Sequence, residues 1–292
     1  MTIEAGQRRG VSEGEGKDPL ERLREVIGRH ERLLVAYSGG VDSALVATVG
    51  SDVLGERCIA VTAVSPSLPA SERAAAKDFA RSKGIRHLEI STDEFDNPDY
   101  VANRGNRCYF CKDALFDALS PLSEMLQAPM ALGTNLDDLG DHRPGLAAAK
   151  LRGSIAPLVE AGLGKAAVRE VSARLGLATA GKPAAACLSS RVAYGDPVTR
   201  EAVARIEAAE AVLHDLGFAE CRVRSHADGT VARIEVPAAR VAEAVAMRAE
   251  IDERLRGCGF TFVTVDLAGF ASGRMNALLP LLATDRPTKT VR

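Results

Sequence analysis

Residues 33–43 read LLVAYSGGVDS, an apolar run followed at once by a glycine-rich turn and a helix-compatible segment. The two glycines allow positive φ angles and let the backbone approach a bound group closely. Backbone N–H groups, the hydroxyls of Ser38 and Ser43, and the positive end of a helix dipole are the donors on offer. The stretch therefore predicts a phosphate-binding loop. It is not a Walker A loop, because no lysine closes the turn.

Short apolar runs alternate with helical patterns over the first two thirds of the chain. They predict strands at 33–37, 58–64, 86–90 and 129–133. Asp18 and Pro19 predict the start of one helix, and residues 71–83 predict another. Strands separated by helices favour an α/β fold, in which a parallel sheet has helices on both faces. Ligands of such sheets bind at the carboxyl ends of the strands, where the glycine-rich turn lies.

The last third of the chain has a different order of elements. Its patterns predict a helix at 199–216, strands at 220–225 and 231–236, one helix at about 238–256 and a strand at 260–267. This α-β-β-α-β run has no phosphate loop, and Gly, Asp and Pro cluster just before it. We therefore expect a disordered tail at 1–17, the phosphate-loop domain at 18–195 and a small α/β domain at 196–292.

Composition narrows the class of protein. Hydrophobic residues make up 46% of the chain, which is enough for a buried core, and the formal net charge is −2. This charge argues against a broad nucleic-acid surface, which usually needs a basic excess. No apolar run is long enough for a membrane span, and the polar N-terminal residues lack a signal-peptide core. We expect a cytoplasmic protein whose six cysteines stay reduced, which favours roles in metal binding or catalysis.

Three cysteines form the second candidate site. Cys108 and Cys111 are in a C-x-x-C pair, and Cys187 lies far away along the chain. Such a pair can be redox-active, half of a zinc site, or a coincidence. A structural zinc site usually has four ligands, and the sequence has no second C-x-x-C pair. Three thiolates with one open position instead suit a [4Fe–4S] cluster with one free iron. The other cysteines, Cys58, Cys221 and Cys258, are expected to be core residues.

Two motifs carry a resemblance to known families. Residues 38–43, SGGVDS, resemble the PP-loop of the ATP pyrophosphatase superfamily. Residues 181–191 read GKPAAACLSSR, with Tyr194 and Gly195 after them, and resemble the sulfur-donor segment of the LarE family. Further matches are NRCYFCK at 106–112, GTN at 133–135, LGDHRPG at 139–145 and PLVEAGL at 157–163. The resemblance covers roughly residues 20–275.

The resemblance implies an adenine nucleotide alpha hydrolase-like, Rossmann-like fold and an ATP-dependent sulfur transferase of nickel-pincer nucleotide synthesis. ATP with Mg²⁺ would activate a carboxylate of pyridinium-3,5-biscarboxylic acid mononucleotide as an adenylate, and sulfur would then displace AMP. The implied nucleotide-binding residues are Ser38, Gly39, Gly40, Val41, Asp42, Ser43, Gly133 and Thr134. The implied substrate-binding residues are Arg143, Glu210, Arg222 and Arg224. Cys187 is the implied catalytic residue. Apart from the resemblance, Lys112 beside the C-x-x-C pair is a catalytic candidate that could neutralise phosphate or polarise the adenylate. Asp42, Asp137, Asp138 and Asp141 either position Mg²⁺ and the nucleotide or cap a helix.

The family offers two sources of sulfur. In one, Cys187 is sacrificed: its thiolate forms a thioester, and elimination leaves dehydroalanine in the protein. In the other, Cys108, Cys111 and Cys187 hold a [4Fe–4S] cluster and a bound sulfide is transferred. The sacrificial route does not need the C-x-x-C pair, so its presence favours the cluster route.

The resemblance also bears on partners and rivals. It implies a homo-oligomer, a hexamer in the family, and a nickel-inserting partner protein; a membrane or nucleic-acid partner is not expected. One rival is an iron–sulfur tRNA-thiolating enzyme, against which the acidic net charge argues. A second is an amide-forming PP-loop synthetase, which would give the three cysteines no task. A third is a nucleotide-binding protein without catalysis, which would bind ATP but release no pyrophosphate.

Overall fold

The computed structural model of the chain describes residues 16–140, 153–183, 186–271 and 275. The strands in these residues are β1 Leu33–Ala36, β2 Cys58–Val64, β3 His87–Ser91, β4 Met130–Ala131, β5 Arg222–His226, β6 Val231–Glu235 and β7 Phe262–Val265. The α-helices are α1 Pro19–Gly28, α2 Val41–Leu54, α3 Ala70–Ser82, α4 Pro98–Val101, α5 Arg107–Leu126, α6 Pro157–Glu160, α7 Lys165–Arg174, α8 Arg200–Asp215, α9 Val241–Ala246 and α10 Arg248–Gly257. Short 3-10 helices lie at Gly55–Arg57, Glu94–Asp96, Leu136–Gly140, Leu188–Arg191 and Ala238–Arg240.

The first sheet has four parallel strands in the order β3-β2-β1-β4. Alternate residues of β1 point to opposite faces, as the pleat requires. Leu33 and Val35 pack into the core shared with α1, α2 and α7. Leu34 packs on the other face, against Leu115 and Phe116 of α5. The predicted α/β fold with a parallel sheet covered on both faces is therefore confirmed.

The first helix begins where the sequence predicts. The backbone N–H of Leu20 donates to Oδ1 of Asp18 at 2.8 Å, and Pro19 occupies the first turn. Such a cap satisfies one of the backbone donors that a helix start leaves without a partner. Of the predicted tail at 1–17, residues 1–15 lie outside the described residues, and Lys17 forms an ion pair with Glu25 at 2.7 Å.

The second sheet has the order β5-β6-β7, with β5 antiparallel and β7 parallel to β6. Helix α8 packs on it, and Thr199 caps that helix by accepting from the N–H of Ala202 at 3.1 Å. The core between them also includes Phe95, Tyr100 and Leu188 from before the predicted domain boundary. Residues on both sides of the predicted boundary thus share this second core. A boundary at residue 195 stays a prediction.

The prediction of one helix over 238–256 is wrong. The structure has a 3-10 turn at Ala238–Arg240, then α9 and α10, with Met247 between the two helices. Met247 has φ −88° and ψ 15°, so it ends one helix and caps the next. The break lets α9 pack on β7 while α10 packs on both β7 and α8. Hydrophobic periodicity shows the buried face of a helix, but a short break between two packed helices preserves most of that pattern.

None of the described helices combines the length and the apolar composition that crossing a membrane would require.

Candidate functional site

The glycine-rich turn joins β1 to α2. Gly39 has φ +73°, a conformation that favours glycine, and Gly40 occupies the N-cap position of α2 without a side-chain cap. The hydroxyl oxygens of Ser38 and Ser43 lie 3.1 Å apart, and the N–H of Ser38 donates to Oγ of Ser43 at 3.2 Å. The two serines therefore form hydrogen bonds across the turn. The N-terminus of α2 lies at this turn, and backbone N–H groups at a helix N-terminus can bind an anion.

The segment after β4 packs directly on this turn. A Cβ atom on Gly133 would lie 2.7 Å from the backbone nitrogen of Ser43, so no other residue fits without a shift. Two residues later, Nδ2 of Asn135 donates to Oδ1 of Asp42 at 3.0 Å. Thr134 lies between them and is half-buried. The structure thus brings the predicted nucleotide residues of both segments together at the carboxyl ends of β1 and β4.

Asn135 caps the turn that contains the acidic residues, and one of these residues caps a later helix. The N–H groups of Asp137 and Asp138 donate to Oδ1 of Asn135, at 3.0 and 3.3 Å. The carboxylate of Asp137 in turn accepts from the N–H of Lys165, at the start of α7. A role for either aspartate in binding Mg²⁺ stays a prediction. Asp141 and Arg143 lie outside the described residues.

A cavity of about 170 Å³ opens beside the loop, where β1 and β2 end. Ser38 of the phosphate loop lines it, together with Lys112, Cys111 and Cys187. Apolar side chains such as Val61, Leu68 and Leu115 form much of the remaining wall. Residues from distant parts of the sequence therefore place two thiols and one amine next to the predicted ATP site.

Cys111 and Cys187 are both half-buried free thiols on this cavity. Burial raises the pKa of Cys111 to about 12, and the nearby Glu94 and Cys187 add to the rise. Cys108 lies one helical turn earlier on α5 and is exposed. Residues three apart on a helix lie on the same side, so the side chains of Cys108 and Cys111 lie on one face of α5.

Among the described residues, no three His, Cys, Asp or Glu side chains lie close enough together to hold a single metal ion. A four-iron cluster spaces its ligand sulfurs more widely than one ion does. The donor set itself, Cys108 and Cys111 on one helix and Cys187 on the same cavity as Cys111, has the thiolate chemistry that such a cluster needs. The cluster stays a prediction.

Lys112 and Arg107 flank the C-x-x-C pair but differ in their surroundings. Lys112 lines the cavity, and no described residue forms a hydrogen bond or an ion pair with its ammonium. Arg107 is buried and donates to Oδ1 of Asn103, whose amide group donates to the carbonyl of Ala193 at 2.8 Å. Of the two cations, Lys112 is thus the one that can reach a bound molecule.

The segment that carries Cys187 is fixed by several hydrogen bonds. The N–H of Leu188 donates to the carbonyl of Ser67 at 2.8 Å. The carbonyl oxygen of Cys187 accepts from Oγ of Ser190 at 2.7 Å and from Nη1 of Arg191 at 2.8 Å. Nearby, the hydroxyls of Tyr100 and Ser189 lie 2.8 Å apart. These contacts hold the backbone of the cysteine at the cavity wall.

The predicted substrate-binding residues lie in the second core. Glu210 and Arg224 are both buried: Glu210 pairs with Arg191 at 3.0 Å, and Arg224 pairs with Glu235 at 2.9 Å. Arg222 is half-buried, with its guanidinium carbon 5.1 Å from the ring centroid of Phe270. Their role in substrate binding stays a prediction, and the ion pairs show that two of them also hold the fold together.

Two features of the site escape sequence reasoning. The ammonium of Lys182 donates to the carbonyl of Gly39 at 3.1 Å and pairs with Glu72 at 2.6 Å, so a distant lysine reaches the loop that has none of its own. Glu94 is 2% exposed and lines the cavity, and its Oε2 atom has no hydrogen-bond partner among the described residues. No sequence motif marks Glu94. Lys182 lies in the motif at 181–191 that also contains Cys187, but the motif does not indicate that its side chain reaches the phosphate loop.

Comparisons with known proteins identify relatives of this chain. No protein-family model matches the chain. An uncharacterized protein of Synechocystis sp. is 46% identical over 263 residues, 89% of this chain and 97% of that protein. The pyridinium-3,5-bisthiocarboxylic acid mononucleotide synthase of Lactiplantibacillus plantarum is 36% identical over 252 residues, 85% of this chain and 90% of that protein. A glutamine-hydrolyzing GMP synthase of Aliarcobacter butzleri is 31% identical over 78 residues, 27% of this chain and 15% of that protein.

Proposed function

This chain belongs to the LarE family, and from that premise we propose that it transfers sulfur to a pyridinium mononucleotide in the synthesis of the nickel-pincer cofactor. ATP first activates a carboxylate of pyridinium-3,5-biscarboxylic acid mononucleotide. A sulfur nucleophile then replaces AMP and leaves a thiocarboxylate. The plantarum relative is named for the bisthiocarboxylic acid mononucleotide that this chemistry produces.

One observation carries the proposal: Ser38 of the phosphate loop and the thiols of Cys111 and Cys187 line the same cavity. A carboxylate is a poor electrophile, so sulfur cannot displace its oxygen directly. Adenylation supplies a good leaving group. A sulfur nucleophile must then attack the mixed anhydride before water hydrolyses it. A site that places the ATP loop beside two thiols satisfies this requirement.

In the first step a substrate carboxylate oxygen attacks the α-phosphorus of ATP. The bond from that phosphorus to the bridging oxygen breaks, and its electron pair leaves with pyrophosphate. The N-terminus of α2 and the serine hydroxyls of the loop support the phosphates. Lys112, which lines the cavity, is the candidate to offset negative charge on the adenylate.

In the second step a thiolate attacks the activated carbonyl, and AMP leaves with the carbon–oxygen electron pair. If Cys187 is the nucleophile, a thioester forms. Loss of the Cα proton and cleavage of the Cβ–S bond then give dehydroalanine in the protein and a thiocarboxylate on the substrate. Cys187 is suited to this by its place on the cavity wall and its fixed backbone.

We further propose that Cys108, Cys111 and Cys187 hold a [4Fe–4S] cluster. When bound, such a cluster supplies an iron on which sulfide can be held for transfer. The support is the donor set: the sacrificial route would give the C-x-x-C pair no task. Anaerobic purification followed by iron and sulfide analysis tests this. About four irons per chain, lost in the Cys111→Ser variant, is the expected result; a colourless, iron-free protein whose Cys187 becomes dehydroalanine after one turnover contradicts it.

An amide-forming synthetase is the rival that one comparison favours, because part of the chain resembles a GMP synthase. Purified protein incubated with the pyridinium substrate, ATP, Mg²⁺ and a sulfide source separates the two proposals. Thiocarboxylate detected by mass spectrometry supports sulfur transfer. Amide formation with an ammonium source instead, undiminished when Cys108, Cys111 and Cys187 are all changed to Ser, supports the rival.

A further inference from the structure

The phosphate loop has a lysine, but the lysine comes from another part of the chain. Nζ of Lys182 donates to the carbonyl oxygen of Gly39 at 3.1 Å. The same ammonium pairs with Oε2 of Glu72, on the first turn of α3, at 2.6 Å. The side chains of Lys182 and Glu72 are 21% and 25% exposed, so the pair is largely shielded but still open to a ligand.

The backbone that carries this lysine is anchored. Arg169 of α7 donates from Nη1 to the carbonyl of Ala180 at 2.6 Å and from Nη2 to the carbonyl of Lys182 at 3.0 Å. The N–H of Lys182 donates to the carbonyl of Thr179 at 3.0 Å. The position of the ammonium at the loop is therefore set by the fold and does not depend on the flexible stem alone.

A charge at this point has a chemical task. Breaking the α,β-bridge of ATP moves an electron pair onto the departing pyrophosphate, which then carries more negative charge than the ground state. Residues 38–43 themselves offer neutral donors only: backbone N–H groups and two serine hydroxyls. A fixed cation aimed at charge that develops during the reaction is worth most in a partly dry site.

We propose that Lys182 is a catalytic residue of the adenylation step, which contacts the leaving pyrophosphate through its ammonium group. The inference rests on the proposed function, since it needs pyrophosphate to be released at this loop. Glu72 is a positioning residue: it holds the ammonium at Gly39 until the phosphates arrive. Because Lys182 begins the short segment that leads to Cys187, the sulfur-bearing block also completes the ATP site.

A purely structural tether is the alternative. In that case Lys182 would only fasten the Cys187 segment to the loop, and its loss would lower stability or ATP affinity. It would leave the adenylation rate at saturating ATP unchanged. A structural role therefore predicts a higher KM for ATP with an unchanged kcat, whereas a catalytic role predicts a lower kcat.

The test measures carboxylate-dependent exchange of labelled pyrophosphate into ATP, which reports adenylation without sulfur transfer. The variants are Lys182→Met, Lys182→Arg and Glu72→Gln. Lys77→Met is the matched control, since Lys77 lies on the same helix as Glu72 and pairs with Glu89 at 3.1 Å, away from the loop. Thermal unfolding of each variant reports whether it folds.

We expect Lys182→Met to lower kcat for exchange by about 10²–10³-fold, the effect of removing one donor to a developing charge. The kcat of Lys182→Arg should be at least about tenfold higher than that of Lys182→Met. The kcat of Glu72→Gln should be about tenfold below that of the wild type, and the kcat of Lys77→Met should equal it. Exchange by Lys182→Met at the wild-type kcat would overturn the inference. If that variant does not fold, a Lys182→Arg variant no more active than background overturns it too. Wild-type protein without any exchange would instead refute the proposed adenylation.

Discussion

The guanidinium of Arg191 donates from Nη1 to the carbonyl oxygen of Cys187 at 2.8 Å. Nε of the same guanidinium pairs with Oε1 of Glu210 at 3.0 Å, and both side chains are almost fully buried. Oε1 of Glu210 also accepts from the N–H of Val223 on β5, at 3.1 Å. The backbone of the candidate sulfur-bearing residue is thus fastened to the second core through one buried ion pair.

The first prediction concerns this ion pair. Glu210→Ala leaves the buried guanidinium of Arg191 without its counter-charge, so we expect the free energy of unfolding to fall by about 3–5 kcal/mol. Urea denaturation measures the change. Glu243→Ala is the control, because Glu243 pairs with Arg240 on the surface and should cost at most about 1 kcal/mol. Equal losses in the two variants would contradict the role given to the buried pair.

The second prediction concerns the close approach at Gly133. A Cβ atom there would meet the backbone of Ser43 at 2.7 Å, which cannot move without disturbing the start of α2. We expect Gly133→Ala to lower pyrophosphate exchange at least about tenfold, because misplacing a binding group by about 1 Å can slow catalysis by about 10²-fold. Gly257→Ala is the control, since a Cβ atom on Gly257 meets nothing within 4 Å. An active Gly133→Ala variant would show that the loop tolerates displacement.

The third prediction concerns alkaline stability. Burial raises the pKa of Cys58 and of Cys221 from 9.0 to about 12. The folded protein therefore holds these protons at pH values where the unfolded chain has lost them. The contribution of these two thiols to the free energy of unfolding is fully present below pH 9. It is lost as the pH rises towards 12, by at most about 1.4 kcal/mol per pH unit for each thiol. Urea denaturation at pH 8.5 and pH 10 should show a smaller loss for Cys58→Ala than for the wild type; identical losses would contradict this account.

Much of the first sheet is predictable from sequence, because each strand is a short apolar run bounded by turn residues. Cys58–Val64 appears as predicted, and the cap at Asp18 is where the pattern places it. Side-chain partners that lie far apart in the sequence are harder to predict. Alternation along β5 places Arg222 and Arg224 on one face, but it does not reveal that Glu235 already pairs with Arg224.

The candidate nucleotide site shows the same limit of sequence-based prediction. The motif at 38–43 predicts the loop, and the structure has it between β1 and α2. The sequence of the loop itself has no cation. The tertiary fold brings Lys182 to it, with Glu72 as the partner of that lysine. Glu94 has no motif either, since a single buried carboxylate is defined by its surroundings.

The central claim is that one cavity houses both the activation of a carboxylate and the delivery of sulfur through Cys187. Cys187→Ser separates these two events, because it removes the thiol and keeps the size of the side chain and its backbone contacts. Cys258→Ser is the matched control, because it makes the same change from thiol to hydroxyl at a cysteine that is not among the residues lining the cavity.

The decisive measurement follows pyrophosphate exchange and thiocarboxylate formation in the same Cys187→Ser preparation. The account predicts exchange within about threefold of the wild type and no thiocarboxylate by mass spectrometry, while Cys258→Ser retains both activities. Thiocarboxylate formed by Cys187→Ser at the wild-type rate would contradict the claim, since sulfur would then reach the substrate without Cys187.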